Sequence, residues 1–328
     1  MRAVNGLHHI TAISGKAQEN VDFYAGLLGM RLVKKSVNQD DPGTYHLFYA
    51  DAVGHPGTDL TFFPWEQMAP PLMGHGLAVE VQLEVPAESI AFWGERLESY
   101  GIQVSKAEKR FGAEVLPIVD PHGMRLALVA HETSRPFEPW PHSTVPVEQQ
   151  IRGLYGARLW EREAAATTSF LEGTMGFVKL AEEDGWTRYG FRNAAGVVDV
   201  KETPGQRRGR WGIGAVHHLA WRVDDEAHQL AIRDQVSRGG ASATPVIDRF
   251  WFKSVYFKEP GGVLFELATD GPGFAVDEDP AHLGEALVLP PFLQPYREKI
   301  EATLPQLTLP QLSLRQQTSK GQVPTPKG

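Results

Sequence analysis

Two histidine pairs and one glutamate are the residues whose setting in this chain points to chemistry. The pairs are His8-His9, in Leu7-His8-His9-Ile10-Thr11, and His217-His218, in Val216-His217-His218-Leu219-Ala220; the glutamate is Glu266, in Gly262-Val263-Leu264-Phe265-Glu266-Leu267. Each pair opens a short apolar run of the kind that forms a strand. Successive strand side chains face opposite sides, so one imidazole of each pair faces inward while its neighbour faces away or stands behind it. Period-2 geometry leaves open which of the two that is. Glu266 also lies in an apolar run, where an isolated carboxylate would be very costly to bury without a partner. A divalent ion supplies one. Two neutral imidazoles and one carboxylate on one face of an ion leave coordination positions open, which suits non-haem Fe(II) and O₂.

The rest of the composition narrows the chemistry. With no cysteine in 328 residues, any metal must rest on imidazole and carboxylate, and neither a disulfide frame nor a thiol nucleophile is available. A formal charge of −8 argues against nucleic acid or an anionic membrane as a partner. No run approaches the roughly 20 apolar residues of a bilayer span. The start, MRAVNGLHHI, lacks the apolar core of a signal peptide, so a cytoplasmic location is expected.

What positions the three groups is an internal repeat. Phe23-Tyr24-Ala25-Gly26-Leu27-Leu28-Gly29-Met30 is echoed by Phe170-Leu171-Glu172-Gly173-Thr174-Met175-Gly176-Phe177, each reading as the end of an amphipathic helix with its second glycine as cap. A single constant offset also links Leu97/Val236, Gly101/Gly240, Arg110-Phe111/Arg249-Phe250, Asp120-Pro121/Glu259-Pro260 and Gly123/Gly262. After each last glycine comes an apolar run, expected as a closing strand. These echoes define four modules, 6–66, 76–131, 151–204 and 215–270, each reading strand, helix, then several strands.

The expected fold is therefore α+β: four βαβββ modules that join in twos and curl into two half-open barrels. The amino-terminal half, 1–145, holds modules one and two, and the carboxyl-terminal half, 146–290, holds modules three and four. A Pro-rich linker, about 131–150, separates them. Residues 291–328 read as one helix, near Pro295 to Thr303, and a tail expected to be disordered from about Leu304. One histidine pair lies in module one and the other in module four, so those two modules should share a barrel. Modules two and three, with Glu80 and Gly156 at the aligned positions and Ala127 opposite Glu266, would build a metal-free one. Glu80 reads as a surface or pocket-lining carboxylate. His46, His55, His75, His122, His131, His142, His228 and His282, each without a repeat partner, read as structural or surface residues. Phe250, Trp251 and Phe252 suggest an apolar, planar substrate.

The sequence resembles the hydroquinone-type, extradiol-like ring-cleaving dioxygenases of the vicinal-oxygen-chelate, or glyoxalase/bleomycin resistance/dioxygenase, superfamily. The likeness covers about residues 5–290. It rests on Leu7-His8-His9-Ile10-Thr11, Tyr45-His46-Leu47-Phe48-Tyr49-Ala50-Asp51, Gly54-His55-Pro56-Gly57-Thr58, Phe62-Phe63-Pro64, Gly261-Gly262-Val263-Leu264-Phe265-Glu266, Asp277-Glu278-Asp279 and Leu283-Gly284. Carried over, the family's metal ligands fall on His9, His218 and Glu266, and its pocket and supporting residues on His8, Thr11, His217, Arg249 and Tyr256. Arg249 has a counterpart in Arg110 and is also readable as a repeat-wide structural feature. Tyr256 has none. The resemblance implies Fe(II), with Mn(II) as a substitute, and a small aromatic substrate opened by O₂; a homo-oligomer is compatible with it. Competing readings are a catechol extradiol dioxygenase, a glyoxalase-type isomerase and a metal-free protein that sequesters small molecules. For the isomerase, Asp59 is the one residue of its stretch able to serve as a fourth ligand.

Overall fold

The computed structural model describes residues 2–132, 135–192 and 194–310. Module one runs β1 (Leu7–Ser14), α1 (Ala17–Val21) with a π-helical continuation (Asp22–Leu27), β2 (Arg31–Asn38), β3 (Asp41–Ala50) and β4 (Asp59–Pro64). Module two runs β5 (Leu77–Val85), α2 (Ile90–Ser99), β6 (Glu108–Arg110), β7 (Ala113–Val119) and β8 (Arg125–Ala130). Module three runs β9 (Gly153–Glu161), α3 (Ala164–Phe170) with a π-helical turn (Leu171–Met175), β10 (Val178–Glu183), β11 (Trp186–Gly190) and β12 (Val197–Glu202). Module four runs β13 (Val216–Val223), α4 (Glu226–Arg238), β14 (Ile247–Asp248), β15 (Lys253–Lys258) and β16 (Leu264–Thr269).

The strands form two eight-stranded sheets, ordered β14-β15-β16-β13-β1-β4-β3-β2 and β10-β11-β12-β9-β5-β8-β7-β6. Module one thus joins module four, and module two joins module three, through antiparallel pairing of their opening strands. Central and edge strands differ as their surroundings require. All eight residues of β1 are buried, the polar His8, His9, Thr11 and Ser14 among them, whereas the edge strand β10 carries exposed Lys179 and Glu182.

Both repeated glycines end their helices as the echo predicts. Gly29 and Gly176 have φ of +70° and +82°, and a Cβ on Gly29 would stand 2.4 Å from the Ser143 hydroxyl. Asp225 caps α4 by accepting from the His228 backbone N–H at 2.8 Å. Trp221, fully buried, lies edge-on to Phe177 and Phe265 and ties module three to module four. Each such buried apolar side chain contributes on the order of 1.5–3 kcal/mol.

Two expectations are corrected. The tail does not become disordered at Leu304: Tyr45 donates to the Pro305 carbonyl at 2.8 Å, Gln18 donates to the Thr308 carbonyl at 3.0 Å, and Leu309 is buried in the hydrophobic core. Residues 311–328, the remainder of that expected tail, lie outside the described residues. The expected helix is split into a 3-10 segment, Pro291–Tyr296, and a short α-helix, Arg297–Glu301. Pro295, inside the 3-10 segment, has no N–H to offer an α-helical ladder.

Candidate metal centre

Four neighbouring strands, β15, β16, β13 and β1, carry the central groups. In register, Thr11 lies opposite His218, Ala220 beside Glu266, and Tyr256 opposite Glu266. The β1–β13 pairing is irregular between Leu7 and His9 and again between Thr11 and Ala12, as is common where a strand re-aims side chains near a site. His9, His218 and Glu266 converge there. His218 Nε2 stands 3.0 Å and His9 Nε2 3.3 Å from Glu266 Oε2, and the two Nε2 atoms are 3.2 Å apart.

The neighbouring histidines decide where the protons sit. His8 Nε2 lies 3.1 Å from the Thr269 carbonyl, which only accepts, so that nitrogen carries the hydrogen. Burial, and then His9, lower the His8 pKa to about 3, so the ring is neutral and its Nδ1 is an acceptor. His9 Nδ1, 2.9 Å away, must donate to it. In the neutral ring His9 Nε2 is thereby left as the lone pair. In the second doublet the Nδ1 atoms of His217 and His218 are 2.8 Å apart, and burial, then the adjacent His218, likewise lowers His217 to about 3.

Glu266 is fully buried. One oxygen accepts from Ser254 Oγ at 2.5 Å; the other, Oε2, has no hydrogen-bond donor. Burial alone would raise its pKa, but His9 and His218 hold it well below the usual carboxylate range. Glu266 in turn outweighs the effect of burial on His9 and raises that imidazole's pKa. Three donor atoms therefore face one point, where an ion would take the place of the proton that His9 Nε2 otherwise shares with Glu266. Metal bonds of about 2.1 Å meeting at right angles would place neighbouring donors about 3.0 Å apart. The observed separations fit a divalent ion held on one face, with the opposite face open. Among the described residues this is the one group of three such side chains within reach of a single ion.

Asp59, at the start of β4 and opposite His9 in register, is outside that group. It is buried with neither carboxylate oxygen partnered, and burial raises its pKa to about 7.

The remaining sequence-derived residues divide by position. Arg249 and Tyr256 line a cavity at the centre, together with Phe48, Trp251 and Phe252. His8, His217 and Thr11 do not line it. The two histidines stand behind His9 and His218, and Thr11 is bonded to Thr61 at 2.7 Å between hydroxyl oxygens. Tyr256 is kept un-ionised by burial and by Glu266. Arg249 bonds Asp40 at 2.8 and 3.2 Å and lies 5.5 Å over the Tyr256 ring.

The repeat extends to the next residue. Phe111 and Phe250 both adopt positive φ, +49° and +73°, while Arg110 pairs with Glu80 and Arg249 with Asp40. Glu80 is correspondingly not a surface or pocket carboxylate. It is buried against Arg110 at 2.5 Å because burial without a counter-charge would be too costly. Around it the second barrel carries ion pairs, with Arg188 forked onto Asp199 at 2.7 and 2.9 Å.

Sequence reasoning did not place Asn38, Gln39 or Asp40 in the cavity, and it read His46 as structural or surface. His46, on β3, lines the cavity, its Nε2 2.9 Å from Thr61 Oγ1 and its ring stacked near Phe48 and Phe63. Burial, then His9 and His218, lower its pKa well below 6.5, so it is neutral. No repeat marks it; its place within the Tyr45 to Asp51 stretch was the available signal.

A curled-barrel α+β fold with a buried two-histidine, one-glutamate cluster belongs with the metalloenzyme folds built from βαβββ modules. The model of the Glyoxalase/Bleomycin resistance protein/Dioxygenase superfamily matches residues 6–128 and 157–267, and the chain belongs to that superfamily. It is 43% identical over 300 residues to "Putative ring-cleaving dioxygenase MhqO" of Bacillus subtilis, covering 91% of this chain and 95% of that protein. It is 34% identical over 311 residues to chlorohydroquinone/hydroquinone 1,2-dioxygenase of Sphingobium indicum, covering 92% and 96%. A solved Bacillus subtilis structure described as a "putative dioxygenase" superposes with a TM-score of 0.88 at 40% identity, over 94% of this chain and 99% of that one. Glyoxalase I from Zea mays, at 15% identity and a TM-score of 0.60 over 81% of this chain and 92% of its own, shares the fold.

Proposed function

We propose that this protein is a ring-cleaving dioxygenase that opens a hydroquinone-type ring with O₂, using Fe(II), or Mn(II) in its place, at His9, His218 and Glu266. The observation that carries the reading is the meeting of three donor atoms within 3.0–3.3 Å with a buried carboxylate oxygen lacking any other partner. The activity named for the Sphingobium relative, on chlorohydroquinone and hydroquinone, supports the substrate class.

When bound, Fe(II) there would give a ring hydroxyl and O₂ adjacent positions and carry electrons between them. The protein's own groups do the rest. Phe48, Trp251 and Phe252 form a slot for a flat apolar ring and exclude water from it. Arg249 places a fixed positive charge on the cavity wall, where negative charge develops as a phenol loses its proton. Tyr256, held un-ionised, donates a hydrogen bond into the same space. His8 and His217 hold the rings of His9 and His218 from behind, and Thr11 holds Thr61.

Anaerobically purified protein reconstituted with Fe(II) is expected to bind about one ion per chain and to consume O₂ when given hydroquinone. A preparation that retains iron yet consumes O₂ with catechols alone would sink the hydroquinone assignment.

A further inference from the structure

The proposed reaction leaves one end of its substrate without a partner. If one ring hydroxyl binds at the metal centre, the other projects across the ring into a slot walled by aromatic side chains, where an unbonded hydroxyl is strongly disfavoured. Tyr256 and Arg249 are assigned above to the hydroxyl at the metal centre, and Asn38, Gln39 and Asp40 each have at least one polar atom engaged within the protein. Asn38 Oδ1 accepts the Asp40 backbone N–H at 2.9 Å, and Gln39 Nε2 donates to the Arg249 carbonyl at 2.9 Å. Asp40 takes the Arg249 guanidinium.

His46 differs from these. Thr61 Oγ1 fixes its Nε2 at 2.9 Å, and the ring is clamped with its centroid 3.8 Å from that of Phe48 and 4.4 Å from that of Phe63. Phe48 and Phe63 are themselves buried, so the clamp is rigid. With Nε2 engaged, Nδ1 is the ring's remaining polar atom, on a side chain that lines the cavity. Thr61 also bonds Thr11 at 2.7 Å, so its hydroxyl can be donor or acceptor toward His46. In either tautomer Nδ1 suits a hydroxyl, which both gives and takes a hydrogen bond.

We propose that His46 determines specificity: its Nδ1 hydrogen-bonds the hydroxyl para to the one at the metal centre, so that the pocket selects 1,4-dihydroxybenzenes. This rests on the hydroquinone reading above. It extends that reading by assigning the far hydroxyl to a residue on β3 that neither holds the metal nor comes from module four.

The test compares hydroquinone with 4-methylphenol, in which a methyl group replaces the far hydroxyl. Dissociation constants are measured without oxygen, on the iron-loaded protein, by quenching of tryptophan fluorescence, since Trp251 lines the cavity. Wild type is expected to bind hydroquinone at least about tenfold more tightly than 4-methylphenol, and His46→Leu to bring the ratio to within about twofold. His46→Gln, which keeps a donor and an acceptor, is expected to recover part of the preference and serves if the leucine variant misfolds. An undiminished ratio in both variants, or no preference in wild type, overturns the assignment. Oxygen uptake by wild type reads out separately: binding preference without O₂ consumption would sink the ring-cleavage reading and leave the recognition by His46 standing.

Discussion

His8 Nδ1 and His9 Nδ1 lie 2.9 Å apart, and because His8 Nε2 donates to the Thr269 carbonyl, the hydrogen between the two rings belongs to His9. The carbonyl at the end of β16 thus sets, through one imidazole, the tautomer of the next, and in the neutral ring leaves the lone pair on His9 Nε2, toward Glu266. Supporting partners of this kind typically account for 10- to 100-fold in metal affinity. His8→Phe keeps a ring of similar shape and removes the acceptor. It is expected to weaken Fe(II) or Mn(II) retention by about 10- to 100-fold against a competing chelator while leaving the melting temperature of metal-free protein within a few degrees of wild type. Undiminished metal affinity in His8→Phe would contradict the tautomer assignment.

Loss of a primary donor has a different signature. In His218→Ala the remaining imidazole and carboxylate cannot hold an ion on one face, so metal content should fall to background. Ion binding to the native state alone stabilises it by about 2.7 kcal/mol at a free concentration 100 times the dissociation constant. In a chain of 328 residues that corresponds to a rise of roughly 4 °C in melting temperature. Wild type is expected to show that rise on adding Mn(II), measured by circular dichroism, and His218→Ala to show none. A similar rise in both would place the stabilising ion elsewhere.

That His9, His218 and Glu266 would come together was readable in the sequence because the same doublet opens two modules, and because Glu266 interrupts an apolar run that had no other use for a charge. Which histidine of each doublet faces the centre was not readable, since it depends on register and on the irregular pairing of β1 with β13; the family likeness supplied it. The fold was legible for a related reason. Glycine turns and apolar closing strands recur at one offset, and both barrels inherit their order from that repeat. His46 reads as structural or surface in the sequence because its setting comes from Thr61 and Phe63 on β4, brought beside it by strand pairing. Glu80 was misread because Arg110, its partner, lies on a separate strand of the second barrel. The buried stretch around Leu309 has the composition of a tail, and tertiary contact alone reveals its place.

Arg249 and Asp40 separate catalysis from latching. Their ion pair joins the turn between β2 and β3 to the loop before β15, but the Asp40 side chain is 73% exposed, and exposed pairs contribute under about 1 kcal/mol. Asp40→Asn is therefore expected to lower kcat/KM for O₂ uptake less than about fivefold. Arg249→Ala removes the positive charge on the cavity wall and should cost about 100-fold or more. Equal losses in the two variants would mean that Arg249 acts by holding the turn.

Glu161 gives the fold a pH dependence unconnected with the metal. It ends β9 fully buried with neither carboxylate oxygen hydrogen-bonded, and burial together with the nearby Glu259 raises its pKa from 4.5 to about 8. The folded protein therefore keeps a proton that the unfolded chain releases. The stability this contributes is whole below pH 4.5 and is lost as pH rises through about 8. Glu161→Gln mimics the protonated form and removes the loss. At pH 9 it is expected to be more stable than wild type by on the order of 2 kcal/mol, after allowance for relaxation around the charged form. At pH 5 the two should be nearly equal. Urea denaturation of metal-free wild type and variant at both pH values checks this, and an equal gap at pH 5 and pH 9 would show that Glu161 ionises in the folded protein as it does in the unfolded chain.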